Sequence, residues 1–252
     1  MRLLLDLTAR HAAFGLAVDE ALLESARRGG EDAARMWVSE RAVVIGRSQA
    51  MASECDVAVL EEMGVPALRR VSGGGAVYHY PGNLNVSMVF ANARRLGTAE
   101  VGFERLGRAL ARGLRELDIV AEVRDRMLVL RGEKISGAAQ ARRGDAVLVH
   151  ATLLVLPDTL KMESLLRALR PGYSPMGAPS RPHATTTLSG AMGRSLDLES
   201  AAGAVGHGLS AEFNVMWTEA TLSEAEASHA RKLEAEKYRS REWNEPHEKK
   251  PN

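Results

Sequence analysis

Two arginines and a run of three glycines form the segment of this chain that is best suited to chemistry. Arg69 and Arg70 are followed by Ser72 and by glycines at 73–75. Glycine adopts positive φ and lets main-chain N–H groups approach a ligand, and arginine presents a planar fork of donors to phosphate or carboxylate oxygens. The segment is therefore suited to bind an anion, with a nucleotide phosphate as the expected one. No Gly-Lys-Ser/Thr follows as in a P-loop, so the residues alone favour a phosphate site and a plain turn equally.

The spacing around this segment assigns roles to its neighbours. Adjacent residues of a strand point to opposite faces, so we expect Arg70 to face the site and Arg69 to serve structure or solvent. Ser72 suits either a hydrogen bond within the loop or a contact to the ligand. Asn83 and Asn85 suit either the orientation of a phosphate or a magnesium-bound water, or local turn bonds.

Three further candidates are ambiguous when taken alone. Lys134 follows a short predicted strand and is typical of a solvated lysine in a hairpin loop. His79 and His150 are expected on strands. For His150, inside an apolar run, an ordinary core histidine and a histidine of a binding site are equally expected.

The composition excludes several classes of protein. The 252 residues are 45% hydrophobic and 26% charged, which is ordinary for a globular chain of one large or two small domains. A formal charge of +1 gives no bulk electrostatic reason to expect nucleic-acid binding. No apolar run reaches bilayer length, so no membrane association is expected. The single cysteine, Cys55, excludes an intrachain disulfide and fits a reducing compartment, so we expect a cytoplasmic protein.

The elements that position these residues follow from hydrophobic periodicity. Helices are predicted over residues 16–26, 56–63, 103–117, 160–169 and 223–238, the last beginning with a capping box. Strands are predicted over 42–45, 66–70, 85–90, 127–130 and 147–156, the last one central. Residues 171–187 are rich in Gly, Pro, Ser and Thr and are expected to form a loop. The pattern favours an α+β domain over residues 1–243, with a mixed, largely antiparallel sheet flanked by helices, and a polar tail without regular structure over 244–252.

The motifs resemble those of a known family. Arg70-x-Ser72-Gly-Gly-Gly-Ala-Val-Tyr-His79, followed by Gly82-Asn83-Leu84-Asn85, is similar to the signature of the lipoate–protein ligase A family. Residues 133–140 resemble the family's lysine motif, and residues 149–154 its His-Gly-Thr-Leu-Leu strand. Blocks at 17–23 and 44–49 match as well, so the resemblance runs in order from about residue 16 to 243. It implies a biotin/lipoate ligase-like catalytic domain.

The resemblance implies an activity in two half-reactions. ATP, with Mg²⁺, and lipoate condense to lipoyl-adenylate with release of pyrophosphate. A lysine of an acceptor domain then attacks, and AMP leaves. The acceptors would be the E2 lipoyl domains of 2-oxoacid dehydrogenases or the glycine-cleavage H protein. Because the family's C-terminal accessory domain is absent from this sequence, the resemblance also implies the large subunit of a two-component ligase with a separate accessory subunit.

The same resemblance assigns the site residues. Lys134 would be catalytic, contacting both the lipoyl carboxyl group and the α-phosphate. The ATP-binding set would be Arg70, Gly75, Ala76, Val77, Tyr78 and Lys134. The lipoate-binding set would be Lys134, Ser72, Gly73, Gly74, His79, Ser136, Gly137, Ala138, His150 and Thr152. Asn83 and Asn85 would contact phosphate or magnesium-bound water.

Two departures and three alternatives accompany this hypothesis. Tyr80 stands where the family usually has an acidic residue, which puts a metal or supporting role there in doubt. Ala151 replaces a glycine and is expected to narrow the floor of the acyl pocket.

An octanoyl- or lipoyl-transferase of the same fold needs a reactive cysteine, and Cys55 lies between Glu54 and Asp56, two acids that would raise a thiol pKa. Biotin ligase is disfavoured because its Gly-Arg-Gly-Arg loop is absent. A non-catalytic lipoate- or nucleotide-binding protein is the third alternative.

Overall fold

Eleven strands and nine α-helices make up residues 1–245, the part of the chain that the computed structural model describes. The strands are β1 (Arg2–Arg10), β2 (Ala33–Ser39), β3 (Ala42–Ile45), β4 (Ala67–Arg69), β5 (Val77–His79), β6 (Asn83–Phe90), β7 (Glu122–Arg124), β8 (Met127–Leu130), β9 (Glu133–Arg143), β10 (Ala146–Leu154) and β11 (Thr218–Glu219). The helices are α1 (Ala12–Arg27), α2 (Met51–Glu54), α3 (Val57–Glu62), α4 (Ala99–Leu114), α5 (Met162–Leu165), α6 (Leu188–Met192), α7 (Leu198–Phe213), α8 (Glu224–Leu233) and α9 (Arg241–Asn244). None of these helices combines the length and apolarity needed to cross a bilayer.

Two sheets organise the strands. The main sheet has eight strands in the order β11-β1-β2-β6-β10-β9-β8-β7. Its pairs are antiparallel from β2 to β7, whereas β1 runs parallel to both β2 and β11. A second sheet of three strands has the order β4-β3-β5. The predicted fold class, α+β with a mixed and largely antiparallel sheet, is confirmed, and β10 lies centrally as predicted.

The two faces of the main sheet carry different chemistry. Leu84, Val86 and Met88 of β6 point into an apolar core shared with α4 and α7. Ser87, which alternates with them, points to the opposite face, where α1 and α8 pack. This second face, called the site face below, carries buried polar side chains as well as apolar ones. Strand alternation therefore separates a dry core from a face that can hold a ligand.

Local signals explain where the helices begin and end. The predicted capping box is present at α8, where the side chains of Ser223 and Glu226 each accept from the other's main-chain N–H. The predicted continuation to Tyr238 changes to a π-helical turn over Glu234–Tyr238. The predicted helix over 160–169 is wrong, because Leu166 is extended (φ −107°, ψ 115°) and separates α5 from a short 3₁₀ turn. Helix α7, rich in Ala and Gly, was not predicted from its weak apolar pattern.

The C-terminal boundary also differs from the prediction. Asn244, expected in a polar tail, lies in α9 with 7% of its surface exposed. Its side-chain oxygen accepts a hydrogen bond from the main-chain N–H of Arg69 (2.8 Å), so the end of the domain packs against β4. Residues 246–252 of the predicted tail lie outside the described residues.

Candidate active site

The arginine–glycine segment forms a loop over residues 70–76, the glycine loop, between β4 and β5. It crosses the end of β3, where the N–H of Arg47 donates to the carbonyl of Ser72 (2.9 Å). Gly74 has φ +92°. A Cβ on Gly46 would lie 2.0 Å from the carbonyl oxygen of Gly74. The loop reaches the site face, because a Cβ on Gly74 would lie 3.9 Å from that of Ala139 in β9. Glycine at 46 and 74 is thus required by close approach and by positive φ.

The guanidinium of Arg70 is hydrogen-bonded to the glycine loop to which Arg70 itself belongs. Its Nε donates to Ser72 Oγ (3.0 Å), Nη1 to the carbonyl of Val44 (3.1 Å), and Nη2 to the carbonyls of Gly73 (2.6 Å) and Gly75 (2.9 Å). Within residues 1–245 none of these partners is a carboxylate, so the positive charge is not neutralised. Burial lowers the pKa of Arg70 to about 10, which keeps the guanidinium charged at neutral pH. The loop therefore contains a fixed cation available to an anion.

Arg69 points the other way, as strand alternation predicts. Its Nη1 donates to the carbonyls of Gly46, Arg47 and Gln49, and its Nη2 donates to the carbonyl of Asn244 (3.0 Å). Its side chain joins β3 and α9 and does not face the site. Of the two arginines, only Arg70 contacts the glycine loop through its guanidinium.

A β-bulge sets the direction of Lys134. Leu128 pairs with Ser136 and Val129 with Lys134, so Ile135 is an extra residue in β9. Ile135 enters the apolar core, and Lys134 falls on the site face. A Cβ on Gly137 would lie 2.9 Å from Lys134 Nζ, so the lysine lies over Gly137. Burial, and then the positive charge of Arg70, lower the pKa of Lys134, and two cations thus face the same space.

Two histidines line the site face next to this pair. His150 Nε2 lies 2.7 Å from Ser72 Oγ, and the His79 ring meets that of Trp37 edge-on at 5.8 Å. Burial, followed by the charge of Arg70, lowers the pKa of each histidine to about 3. Both imidazoles are therefore neutral at neutral pH.

These pKa values predict an acid-sensitive fold. An ordinary histidine has a pKa of 6.5, and His79 and His150 have about 3 when folded. Between these values the unfolded chain binds more protons, so stability is lost as pH falls below about 6.5. We expect the free energy of unfolding, measured by chemical denaturation, to fall by roughly 2 kcal/mol from pH 6 to pH 5. The fall should halve in His79→Gln and persist in His183→Gln, a change at an exposed position. Equal stability at both pH values would contradict the prediction.

Several buried polar atoms on the site face have no hydrogen-bond partner within residues 1–245. They are Trp37 Nε1, His79 Nδ1, and both side-chain atoms of Asn83. Asn83 is fully buried, and Asn85 donates to the carbonyl of Trp37 (3.2 Å). These positions inside the sheet do not favour the predicted contact of Asn83 and Asn85 with phosphate or magnesium-bound water. Trp37 was not among the predicted site residues.

Not all predicted site residues share this face. Thr152 pairs with Gly137 across the strands, so both lie on it. Ser136 pairs with Leu153 and Ala138 with Ala151, on the opposite face towards α4. Their side chains cannot reach a ligand that lies over Lys134, and only their main chain remains available. The Ala151 side chain likewise lies in the α4 core, so it does not narrow a pocket on the site face.

The nucleotide-binding set divides between main chain and side chain. The Tyr78 hydroxyl donates to Asp158 (2.6 Å), and the Val77 side chain packs in the core beside α1. Their side chains are thus engaged elsewhere, and only the main chain of these two residues is left to serve the site. Tyr80, which departs from the family pattern, is buried, stacks on Tyr78 and donates to the carbonyl of Leu156 (2.8 Å). It is a structural residue in this fold.

Residues 171–187, called the strap below, close over the glycine loop. Ser180 Oγ accepts from the main-chain N–H of Ala76 (2.8 Å) and from Gln49 Nε2 (3.0 Å). It donates to Glu54 (2.6 Å), a fully buried carboxylate that also accepts from the Tyr173 hydroxyl. The strap also bonds to both main-chain groups of Lys134. The sequence predicted a loop here but not its attachment to the site.

Removal of the Ser180 hydroxyl should loosen the strap. Ser180→Ala leaves Glu54 Oε2 and the N–H of Ala76 each without its hydrogen bond to Ser180, which costs about 1–2 kcal/mol. We expect the amides of Ala178 and Thr186, which hold the strap elsewhere, to exchange with solvent roughly 5–30-fold faster. Ser228→Ala, at an exposed position, is the matched control. Unchanged exchange of both amides in Ser180→Ala would contradict this role.

The α+β fold, with a large and mainly antiparallel sheet flanked by helices, matches that of solved lipoate ligase structures. Residues 11–210 match the lipoyl protein ligase A/B catalytic domain model. The chain belongs to this family and is an enzyme of the lipoate ligase type.

Relatives of known sequence differ in length. Lipoate-protein ligase A subunit 1 of Thermoplasma acidophilum is 32% identical over 254 residues, covering 96% of this chain and 95% of the relative. Other matches are partial on both sides. A putative lipoate-protein ligase A of Aeropyrum pernix is 36% identical over 165 residues, 65% of this chain and 61% of that protein. Lipoate-protein ligase LplJ of Bacillus subtilis is 34% identical over 119 residues, 47% of this chain and 35% of that protein. Octanoyltransferase LipM of Carboxydothermus hydrogenoformans is 28% identical over 249 residues, 90% of this chain and 92% of that protein.

Solved structures share the fold over nearly the whole chain. A T. acidophilum protein with bound lipoic acid is 29% identical, with 96% of this chain and 98% of that chain covered and a TM-score of 0.81. A bi-partite lipoate protein ligase of the same organism, studied with its E2 lipoyl domain, is 28% identical (99% and 98% covered, TM-score 0.83). A lipoate-protein ligase A bound with ATP is 29% identical (96% and 97% covered, TM-score 0.83).

Proposed function

We propose that the protein is an ATP-dependent lipoate–protein ligase. It would activate lipoate to lipoyl-AMP with release of pyrophosphate and then transfer the lipoyl group to a lysine of an acceptor lipoyl domain. The observation that carries the proposal is the pair Arg70 and Lys134, two cations on one face with no carboxylate partner in the part of the chain that the structure describes. The ATP and lipoic acid held by similar structures support it.

The first half-reaction explains why two uncompensated cations are needed. The lipoate carboxylate attacks the α-phosphate of ATP, so two anions must meet before the mixed anhydride forms. Lys134 would bridge the carboxylate and the α-phosphate, because a compact ammonium can contact both. Arg70 and the main chain of Gly75–Tyr78 would hold the phosphates. The pyrophosphate oxygen takes the electron pair of the broken bond, and fixed cations stabilise the charge that develops there.

The substrates divide the site between them. Lipoate would lie on the site face along Gly137, His150 and Thr152, with its carboxyl end at Lys134 and Ser72. The neutral histidines suit its apolar chain. ATP would enter as its magnesium complex, with Mg²⁺ held by phosphate oxygens and water. Residues 1–245 contain no group of three or more His, Cys, Asp or Glu side chains arranged for a metal.

The partners follow from the relatives. The T. acidophilum relative is a subunit 1, and its bi-partite ligase was studied with an E2 lipoyl domain. We therefore propose a separate accessory subunit for this chain, and E2 lipoyl domains or the glycine-cleavage H protein as acceptors. A cytoplasmic location is part of the proposal, because a single buried cysteine suits a reducing compartment.

Pyrophosphate release from ATP in the presence of lipoate tests the function. The chain is assayed alone and with a candidate accessory chain, and transfer is followed on an E2 lipoyl domain. Lipoate-dependent release under either condition supports the ligase. Release only with the second chain supports the two-component form. Pyrophosphate release that does not depend on lipoate, or no release under either condition, overturns the proposed ligase function.

An ATP-independent octanoyl or lipoyl transferase is the second candidate, because LipM is a relative. A transferase of this kind needs a thiolate. Cys55 is the only cysteine, is fully buried, and burial raises its pKa to about 12. Its surroundings therefore disfavour thioester chemistry. Acyl transfer from an octanoyl thioester without ATP would favour this candidate, and binding of lipoate without either reaction would favour a binding protein.

A further inference from the structure

A chain of polar side chains on the site face includes a buried carboxylate, Asp19, that has no role in the function above. It runs from Asp19 of α1 through His150 of β10 to Ser72 of the glycine loop, and we call it the relay. His150 Nε2 lies 2.7 Å from Ser72 Oγ. Its Nδ1 lies 3.9 Å from Asp19 Oδ2. Asp19 belongs to the sequence block at 17–23, which the proposed function does not use.

Asp19 is fixed in a single orientation. It is 3% exposed, accepts from Arg35 Nη1 (2.8 Å) through Oδ1 and from Ser87 Oγ (2.7 Å) through Oδ2. Arg35 is held in turn by the carbonyl of Gly15 (2.8 Å). Asp19 Oδ2 lies on the Nδ1 side of the His150 ring at 3.9 Å, an ion-pair distance longer than a hydrogen bond. This is the side of the ring on which a carboxylate orients a histidine base.

This arrangement selects the tautomer of His150. A carboxylate facing Nδ1 favours the proton on that atom, which leaves Nε2 as an acceptor. Arg70 Nε donates to the Ser72 oxygen, so the hydroxyl proton of Ser72 is free to point at Nε2. Ser72 Oγ thus lies between the guanidinium of Arg70 and the neutral imidazole of His150.

The transfer half-reaction needs such a base. The acceptor lysine enters as a free amine, its nitrogen bonds to the acyl carbon of lipoyl-AMP, and the acyl carbon–phosphate oxygen bond breaks with its electron pair leaving on AMP. The nitrogen must then lose one proton to become an amide. We propose that this proton passes to Ser72 Oγ while the Ser72 hydroxyl proton passes to His150 Nε2, with Asp19 positioning the imidazole.

The charges around His150 couple the relay to the nucleotide. Besides burial, the positive charge of Arg70 lowers the pKa of His150. A phosphate bound beside Arg70 offsets that charge, so the basicity of His150 rises when the adenylate is present. The imidazolium that forms faces Asp19 and afterwards returns its proton to water. The relay rests on the proposed function, because it acts on lipoyl-AMP.

Two nucleophiles test the relay in one experiment. Lipoyl-AMP is supplied directly, and single-turnover transfer is measured to the lysine of an E2 lipoyl domain and to hydroxylamine. Hydroxylamine is a far weaker base, so its adduct loses a proton to water readily. We expect His150→Gln to lower transfer to lysine by about 10²-fold or more, and the lysine-to-hydroxylamine rate ratio by at least about tenfold. Equal losses for both nucleophiles would assign His150 to structure or binding and overturn the relay.

Ser72→Ala and the double variant supply an independent test. Members of one relay are non-additive, so Ser72→Ala with His150→Gln should transfer to lysine no more slowly than the worse single variant. A rate loss in the double variant equal to the product of the two single-variant losses would overturn the relay. Asp19→Asn should lower the same rate ratio, whose value is insensitive to a general loss of folded protein. Wild-type protein that transfers to neither nucleophile refutes the proposed transfer as well as the relay, whereas normal wild-type transfer with an unchanged ratio in every variant refutes the relay alone.

Discussion

Lys134→Ala should release pyrophosphate about 10²–10³-fold more slowly than the wild type in the presence of ATP and lipoate. The reason is the loss of one of two preorganised cations at the point where two anions meet. Within residues 1–245 the Lys134 ammonium has no carboxylate partner, so its charge is available to the reaction. The measurement is the initial rate of lipoate-dependent pyrophosphate release at saturating ATP.

Two further variants separate charge from geometry. Lys134→Arg keeps the charge, but its planar fork fits the space over Gly137 poorly, so we expect only partial recovery. Lys232→Ala removes a lysine that is 67% exposed and should leave the rate unchanged. A rate for Lys134→Ala within threefold of the wild type would exclude Lys134 as the catalytic cation and weaken the ligase hypothesis.

The sequence was a good guide wherever a local rule decides the structure. Strand alternation predicted the opposite directions of Arg69 and Arg70. The capping box predicted the start of α8, and the long apolar run predicted that β10 is central. These features depend on neighbours within a few residues, so a single sequence contains the information that determines them.

Alternation failed where the strand is irregular. Regular strand alternation would place Lys134, Ser136 and Ala138 on one face of the sheet, and the family resemblance groups all three around lipoate. The bulge at Ile135 reverses the side of Lys134 relative to the other two. A bulge depends on pairing with β8, which the sequence of β9 alone does not specify.

Contacts between distant segments were the least predictable part of the site. Ser180 is 104 residues from Ala76, whose N–H it accepts. Asp19 belongs to a helix that was predicted from its apolar pattern, yet its carboxylate is on the site face and faces His150. The only signal in the sequence was that Asp19 is a polar residue at a position expected to be buried. Burial of a polar group costs free energy unless the group has a hydrogen-bond or charge partner.

Arg69→Ala should lower the free energy of unfolding by about 3 kcal/mol, measured by chemical denaturation at neutral pH. Arg69 is 3% exposed, and no carboxylate is among its partners within residues 1–245. Its guanidinium donates to five main-chain carbonyls, those of Gly46, Arg47, Gln49, Trp243 and Asn244. Alanine would leave these carbonyls without their donor. Water can replace only part of the loss, because most of the cluster is buried.

The matched control is Arg94→Ala, because Arg94 is exposed on a short turn; we expect a change within about 0.5 kcal/mol. Arg69→Lys should be intermediate, since an ammonium can reach only some of the five carbonyls. A loss below 1 kcal/mol for Arg69→Ala would mean that the cluster does not hold α9 against β4. Because β4 leads directly into the glycine loop, a confirmed loss would show that Arg69, which does not face the site, stabilises the strand from which Arg70 enters that loop.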